Sequence, residues 1–400
     1  MRRTVCSACG SADLIEFLDL GTSPVADAYT DKPDGSAGVT CRRYPLQLAV
    51  CGRCWLVQLL EVLDGETLFG TGYSFYSSAS APLSAYHAEY ARDVLMSHHG
   101  ELARSGVLEI GCNDGDFLQH FKHLPHVGFD PAGGPVAVAR DRGLNVLGRA
   151  FDGTALATGE KFGLVIANHV LAHVADVADV LAGIAAALIP NGVAFVEVQY
   201  LPDLLVNNAF DLVYHEHRNF FSLSSLAHAA TRAGLRVIDA ELTDRQGGSL
   251  RVTLSKALRL VSPRVYTIQR SEDWLRTPAA YIGMQGRAER IRARLWDLLA
   301  AEQGAGRTVA GYGAPAKATT LFAFCGFDES VVSYMTDTTK SKQGRYLPGT
   351  AIPILPPDHR SSGTRLVTAW NYLPQILKHE TRFTNDGGRW LVPLPAPVVL

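Results

Sequence analysis

The chain has 400 residues, 47% of them apolar and 19% charged, with 37 Lys and Arg against 39 Asp and Glu. At ~150 residues per domain this is material for two or three packed cores, and a formal charge of −2 offers no general attraction to a nucleic acid polymer. No apolar run reaches the ~18 residues of a membrane span, and the start, Met1-Arg2-Arg3-Thr4-Val5-Cys6, lacks the apolar stretch of a secretory signal. A cytoplasmic protein with no membrane partner is expected; composition sets no oligomeric state.

Four of the seven Cys fall in two CxxC pairs, Cys6 with Cys9 and Cys51 with Cys54. Thiolates two residues apart can grip one Zn²⁺ from a tight turn, and two such pairs complete a tetrahedron. The intervening residues 10–50 are rich in turn formers (Gly21, Pro24, Pro33, Gly35, Gly38) and must fold as their own loop or hairpins. Amides next to Gly10 and Gly52 are placed to point at sulfur. With all four valences filled by protein, the metal is structural and holds a segment too small to bury a core alone. Cys41 has no partner at the same spacing.

Residues 73–100 read as helical. From 107 onward short β-like runs (107–110, 127–129, 164–167, 193–198) alternate with helical ones, which predicts βαβ units on a parallel sheet. The turn Glu109-Ile110-Gly111-Cys112-Asn113-Asp114-Gly115 follows the first of these strands and opens a helical pattern. Its glycines suit a tight turn and close approach of a ligand. It is not GxGxxG, so a pyrophosphate cradle is disfavoured. The next strand ends in Asp130, where a carboxylate can accept both hydroxyls of a ribose, and the third ends in Asn168. Together they resemble the S-adenosylmethionine pocket of class I methyltransferases.

The most concentrated chemistry is Tyr214-His215-Glu216-His217, flanked by apolar residues. His173 follows the strand that ends at Asn168, hence lies at the carboxyl edge of the sheet, where open α/β folds place ligands. Acid–base work is the reading for this cluster. Past Gly247-Gly248 a long helical pattern covers 283–302. A second alternating series (308–312, 331–335, 365–369, 390–392) then predicts another α/β domain. Within it Tyr312-Gly313-Ala314-Pro315-Ala316-Lys317 leads into a helix, where amides and a Lys can meet phosphate. A following stretch adds Lys340, Lys342 and Arg345.

These pieces together resemble the deoxysugar C-methyltransferase family, across nearly the whole chain. The resemblance rests on the CxxC…CxxC head, EIGCNDG, HVLAHV, VYHEHRNFFS, GYGAPAKATT and YMTDTTKSKQGRYLPG. It implies an α/β protein with a zinc-binding head (1–70), a Rossmann-like S-adenosylmethionine domain (71–255) and a C-terminal Rossmann-like domain (256–400) that contributes to nucleotide-sugar binding. The implied reaction is methylation at ring carbon 3 of a thymidine diphosphate (TDP)-linked 4-keto-6-deoxysugar, through an enolate, in deoxysugar biosynthesis for a natural product. Matched to the family, the base falls on His217, with Tyr214, Glu216, His173 and Tyr73 beside it. His215 stands where relatives can carry Asp and is left out of the catalytic set. Glu109, Gly111, Asn113, Gly115, Asp130 and Asn168 fall to the cofactor, and Tyr312, Lys317, Lys342 and Arg345 to the nucleotide sugar.

In this scheme His217 takes the proton, Tyr214 or Tyr73 together with His173 donates to the carbonyl oxygen, and Glu216 orients an imidazole. Some relatives also reduce the 4-keto group, so NADPH is an alternative second cofactor. Three rival readings are a zinc-containing methyltransferase with another substrate, a nicotinamide-dependent reductase, and a nucleotide-binding module without catalysis. The neutral charge and the phosphate-like second pocket disfavour the first, and the absent GxGxxG the second.

Overall fold

A computed structural model describes residues 1–36, 40–70, 73, 75–97, 100–154, 159–243, 248–357 and 363–400. Gly38, expected in a turn, Gly247 and Ser74 beside Tyr73 lie outside the described residues. Three sheets organise the chain. The first begins with β1 (Leu14–Pro24), β2 (Arg43–Cys51) and β3 (Val57–Leu59), so the turn-rich head is an antiparallel hairpin plus one return strand. Register slips between Asp19 and Thr22 bend β1, as β-bulges do.

The second sheet uses β4 (Val107–Ile110), β5 (His126–Phe129), β6 (Val146–Leu147), β7 (Phe162–Asn168) and β8 (Leu188–Gln199). All five run parallel. After β9 (Asn219–Phe220) come β10 (Arg236–Thr243) and β11 (Ser249–Ser255). The spatial order is β10-β11-β8-β7-β4-β5-β6, with β11 antiparallel to both neighbours and therefore the reversed strand. Apolar β4 and β7 are buried along nearly their whole length, as strands covered on both faces must be. The order reverses at β4, and a crevice opens there at the carboxyl edge.

The third sheet holds β12 (Val309–Tyr312), β13 (Met335–Thr336), β14 (Ile354–Leu355), β15 (Thr364–Val367), β16 (Arg389–Val392) and β17 (Val398–Val399). It is parallel except for β17. The strand expected over 331–335 is shorter and later, because Val331 and Val332 bond back to Asp328 in a turn. The long helix is Met284–Gly304. The one expected over 73–100 starts later, at Ala81–Met96, with Pro82 in its first turn, a position that suits proline.

Sequence order hides one connection. β9 comes from the segment just after the histidine cluster, yet it pairs with β3 and completes the head sheet. A single apolar core runs through Leu48 of the head, Phe210 and Val213 before the cluster, and Leu321 and Met335 of the third sheet's layer. The three segments are welded at the cluster.

Candidate active site

The crevice beside β4 is built by its glycine turn. Gly111 and Gly115 have φ of 68° and 77°, and Asn113 has 50°, all left-handed. A side chain at Gly111 would strike Val170, and one at Gly115 would strike Leu144. The glycines thus serve the turn geometry and the packing of Val170 and Leu144 against it. Asp130, at the end of β5, accepts from the amides of Asn113 (2.9 Å) and Ala132 (2.8 Å). These bonds fix its carboxylate at the crevice.

Glu109 is buried and one of its carboxyl oxygens has no partner. Burial first, then the charges of Asp130, Asp116 and Asp114, push its pKa well up. Asn168 also leaves its side-chain oxygen without a partner. Unmet acceptors and crowded carboxyls fit a ligand that carries positive charge and hydroxyls, which is the chemistry of S-adenosylmethionine. Asn113 then ties a strap onto the turn. Its side chain accepts from the Ser77 amide (2.9 Å) and donates to the Phe75 carbonyl (3.1 Å), while the Ser78 hydroxyl donates to Asp114. That strap carries Tyr73, whose pKa is raised by burial and then by the charges of Asp27, Asp130 and Glu216.

The histidine cluster lies in the same cleft. His173 and His217 have ring centroids 5.1 Å apart. His217 Nδ1 meets the Leu212 carbonyl at 2.8 Å. A carbonyl can only accept, so Nδ1 carries the proton and Nε2 the lone pair. Tyr214 donates its phenolic proton to that Nε2 over 2.8 Å. His173 Nδ1 likewise donates to the Glu216 carbonyl, 2.7 Å away. Desolvation lowers His173 to about 4 and His217 well below its usual range, so both are neutral imidazoles at pH 7. A neutral His173 presents an acceptor at Nε2, which corrects the expectation that it donates to a ketone oxygen.

Glu216 orients His173 through its main chain, not its carboxyl as expected. The carboxyl is buried without a hydrogen-bond partner, and burial and then Asp27 raise it to about 8. His215 is buried elsewhere, against the Pro45 carbonyl and the Tyr44 ring.

Asp27 and Tyr29 of the head are site residues that sequence reasoning missed. Burial raises Asp27, while Lys342 and Tyr29 pull the other way. Lys342 stands over the Tyr29 ring, 5.0 Å from its centroid, and donates to the Ala314 carbonyl at 2.9 Å. His169 follows Asn168 at the end of β7 and has no role assigned from sequence. Its φ is 56°, and its ring sits 3.3 Å from Glu197, a carboxylate that burial would raise but that His169, Arg251 and Tyr86 hold at about 2.

The four residues assigned to the nucleotide sugar fall into two groups, with Lys342 and Arg345 meeting at Tyr29. Lys342 reaches the cleft. Arg345 is bound to Asp31 at 3.0 Å and to the Tyr29 carbonyl. Tyr312 donates to Glu380 at 3.1 Å. Lys317 is buried, donating to Asn371 at 2.7 Å beneath the Trp370 ring and 4.0 Å from Asp211. The amide of Ala314, at the helix entrance, is already held by the Asp337 carboxylate at 2.7 Å. This corrects the reading of that turn as a single phosphate cradle.

The metal ligands converge as expected. The sulfurs of Cys6, Cys9, Cys51 and Cys54 all lie within 4.8 Å of one another, the closest pairs at 3.5 and 3.6 Å. A tetrahedral ZnS₄ centre with ~2.3 Å bonds needs sulfurs about 3.8 Å apart, so the buried cage fits zinc. The Gly10 and Gly52 amides themselves bond to carbonyls of Cys6 and Asp13, while the amide of Ser11, next to Gly10, faces the Cys9 sulfur as expected. Amides of Ala8 and Cys9 face Cys6, and that of Leu56 faces Cys54. Cys41 is separate.

A seven-stranded sheet with one reversed strand, a glycine turn followed by an acid, and an acid-lined crevice define a class: an S-adenosylmethionine-dependent methyltransferase, here with a zinc-binding head. Family profiles match along the chain: a zinc binding domain over residues 6–69, a methyltransferase domain over 86–240, and a C-methyltransferase C-terminal domain over 244–395. C-methyltransferase NovU of Streptomyces niveus is 36% identical over 409 residues, covering 99% of this chain and 96% of that protein. The chain belongs to this C-methyltransferase family. An ubiquinone biosynthesis O-methyltransferase of Azorhizobium caulinodans is 35% identical over 133 residues, 29% of this chain and 53% of that protein. A solved S-adenosylmethionine-dependent methyltransferase from Clostridium acetobutylicum covers 45% of this chain and 92% of its own, with 10% identity and a TM-score of 0.35. Among the described residues no helix is long and apolar enough to cross a membrane.

Proposed function

We propose that the protein methylates ring carbon 3 of a TDP-linked 4-keto-6-deoxysugar, with His217 as the base. The observation that carries this is the Tyr214–His217 bond together with the Leu212 carbonyl on Nδ1. A carbon beside a ketone is a weak acid, so its ionisation needs a placed base and a donor for the enolate oxygen. Both are here in one pair. When the ketone oxygen takes the Tyr214 proton, the Nε2 lone pair of His217 is released to remove the proton from carbon 3. The imidazole must be neutral for this, and burial keeps it so.

Tyr73, on the strap between Asp130 and Glu216, is a second donor for the developing oxyanion. Bound S-adenosylmethionine supplies the electrophilic methyl group. Asp130 and Glu109 would hold it at the crevice, and Lys342 beside Asp27 supplies a cation for the diphosphate end of the sugar nucleotide.

His217→Asn tests the reading. It should bind S-adenosylhomocysteine and TDP normally yet lose methyl transfer by roughly 10²–10⁴-fold, the usual contribution of a general base. Exchange of the carbon 3 hydrogen with solvent deuterium should fall in parallel. Wild-type exchange in this variant would move the base elsewhere, His173 being next by position.

A further inference from the structure

The turn that precedes the histidine cluster is held from outside its own domain. Phe210–Leu212 form a single helical turn with Val213 following. Leu212 supplies the carbonyl that fixes the tautomer of His217. Both neighbours of Leu212 are gripped by the C-terminal domain. Thr320, on the buried helix Ala316–Cys325, donates its hydroxyl to the Val213 carbonyl at 2.8 Å. Trp370 donates its indole N–H to the Asp211 carboxylate at 2.6 Å, with the Lys317 ammonium 4.0 Å from the same oxygen.

Asp211, Val213 and Thr320 are each at most 1% exposed. Water is therefore not a substitute partner if these bonds are lost. The adjacent Thr319 donates to the Ala26 carbonyl at 3.0 Å, beside Asp27, so one helix holds both the head loop and the catalytic turn.

We propose that Thr320 and Trp370 are positioning residues for His217: by clamping the carbonyl of Val213 and the side chain of Asp211, they hold the Leu212 carbonyl against Nδ1 and so keep the lone pair on Nε2. The inference rests on His217 being the base. In a neutral imidazole the partner of one nitrogen sets the role of the other. A turn free to rotate would leave Nδ1 without a fixed acceptor and admit the tautomer that cannot accept the proton. The role also explains why Lys317 and Trp370 are spent on Asp211 rather than facing the cleft.

The test uses the full-length, zinc-loaded protein and a TDP-4-keto-6-deoxyhexose as probe. Thr320→Val keeps the side chain's shape but removes the donor. It should lower both kcat and deuterium exchange at carbon 3 by roughly tenfold or more, the scale of small misplacements of a reacting group. Affinity for S-adenosylhomocysteine and for TDP should be unchanged. Thr320→Ser, which retains the hydroxyl, should recover most of the rate. Trp370→Phe provides an independent second variant, with the same split between kcat and affinity. In ¹⁵N spectra the His217 ring should show Nδ1–H in the wild type and a mixture of tautomers in Thr320→Val.

A Thr320→Val protein that exchanges at the wild-type rate while His217→Asn does not would overturn this inference and leave the base reading standing. Wild-type exchange in His217→Asn as well would remove the base reading, and this inference with it. A rate loss matched by equal loss of ligand affinity, and not recovered by serine, would make the clamp merely structural and also overturn it.

Discussion

Tyr214 and His217 share one hydrogen bond, phenol to Nε2 over 2.8 Å, between two groups that burial drives in opposite directions. The phenol is held well above its usual range and the imidazole well below, so the proton stays on oxygen and the pair is neutral. This bears on pH dependence. A base with a lowered pKa keeps its lone pair as pH falls through the ordinary histidine range and loses it only near its own, lower pKa. His173 titrates at about 4 and His217 is also strongly lowered. The kcat/KM profile should therefore stay level from about pH 7, below the range where Glu216 ionises, down to roughly 5, without the fall near ~6.5 that an unperturbed histidine gives. A limb centred near 6.5, measured where the protein remains folded, would refute neutral burial of the pair.

Cofactor affinity should depend on Asp130. Its carboxylate is fixed by two backbone amides at the end of β5, leaving lone pairs for hydroxyl donors. Asp130→Ala should weaken S-adenosylhomocysteine binding by about 2 kcal/mol, the scale of hydrogen bonds to a charged group. Calorimetry giving wild-type affinity would place the ribose elsewhere.

Much of this site was legible because its residues sit in short runs. Cys6 and Cys9, Gly111 to Gly115, and Tyr214 to His217 each carry their chemistry within a few positions. The parallel strands were legible too, since buried apolar runs such as β7 show in sequence. What could not be read was which runs meet. Asp27 has no motif around it, and its loop is held by residues distant in sequence, Thr319 on the Ala26 carbonyl and the Ala314 carbonyl on the Tyr29 hydroxyl. Lys317 looked like a phosphate ligand at a helix start, yet its partner Asp211 is distant in sequence. β9 is two residues long, too short for any periodicity, and only pairing with β3 defines it.

Glu216 should make the protein less stable as pH rises. Its folded pKa, about 8, lies above the ordinary 4.5, because burial and then Asp27 disfavour its charge. Between those values the folded state keeps a proton the unfolded chain has lost. Stability is thus fully present below ~4.5 and declines as pH climbs toward 8, by up to about 1.4 kcal/mol per pH unit. Glu216→Gln cannot ionise and should lack this slope. Denaturant unfolding of both proteins from pH 5 to 8 compares them directly. Parallel curves would show that the Glu216 carboxyl is charged in the folded state.

Zinc should matter for catalysis although it lies outside the cleft. The four cysteines share a buried cluster with Leu223, Leu226 and Ala229 of the methyltransferase segment. Their sheet also continues through β3 into β9, and the Leu59 amide bonds to the Arg218 carbonyl at 2.9 Å, one residue beyond His217. Loss of the metal removes the constraint on β2 and β3, hence on the strand that anchors the end of the catalytic turn. The cofactor crevice is built from β4, β5 and β7, which share that buried cluster through Leu108, Phe129 and Ala167 but carry none of the ligands and belong to a different sheet. Cys51→Ser should release the zinc and lower the melting temperature. It should also reduce methyl transfer by roughly tenfold or more, as misplacement of reacting groups does, with a much smaller change in S-adenosylhomocysteine affinity. Metal analysis, calorimetry and turnover on one preparation separate these effects. Full activity in zinc-free protein would show that β9 holds its place without the head, and retention of zinc in Cys51→Ser would show that the four-cysteine cage is not the site.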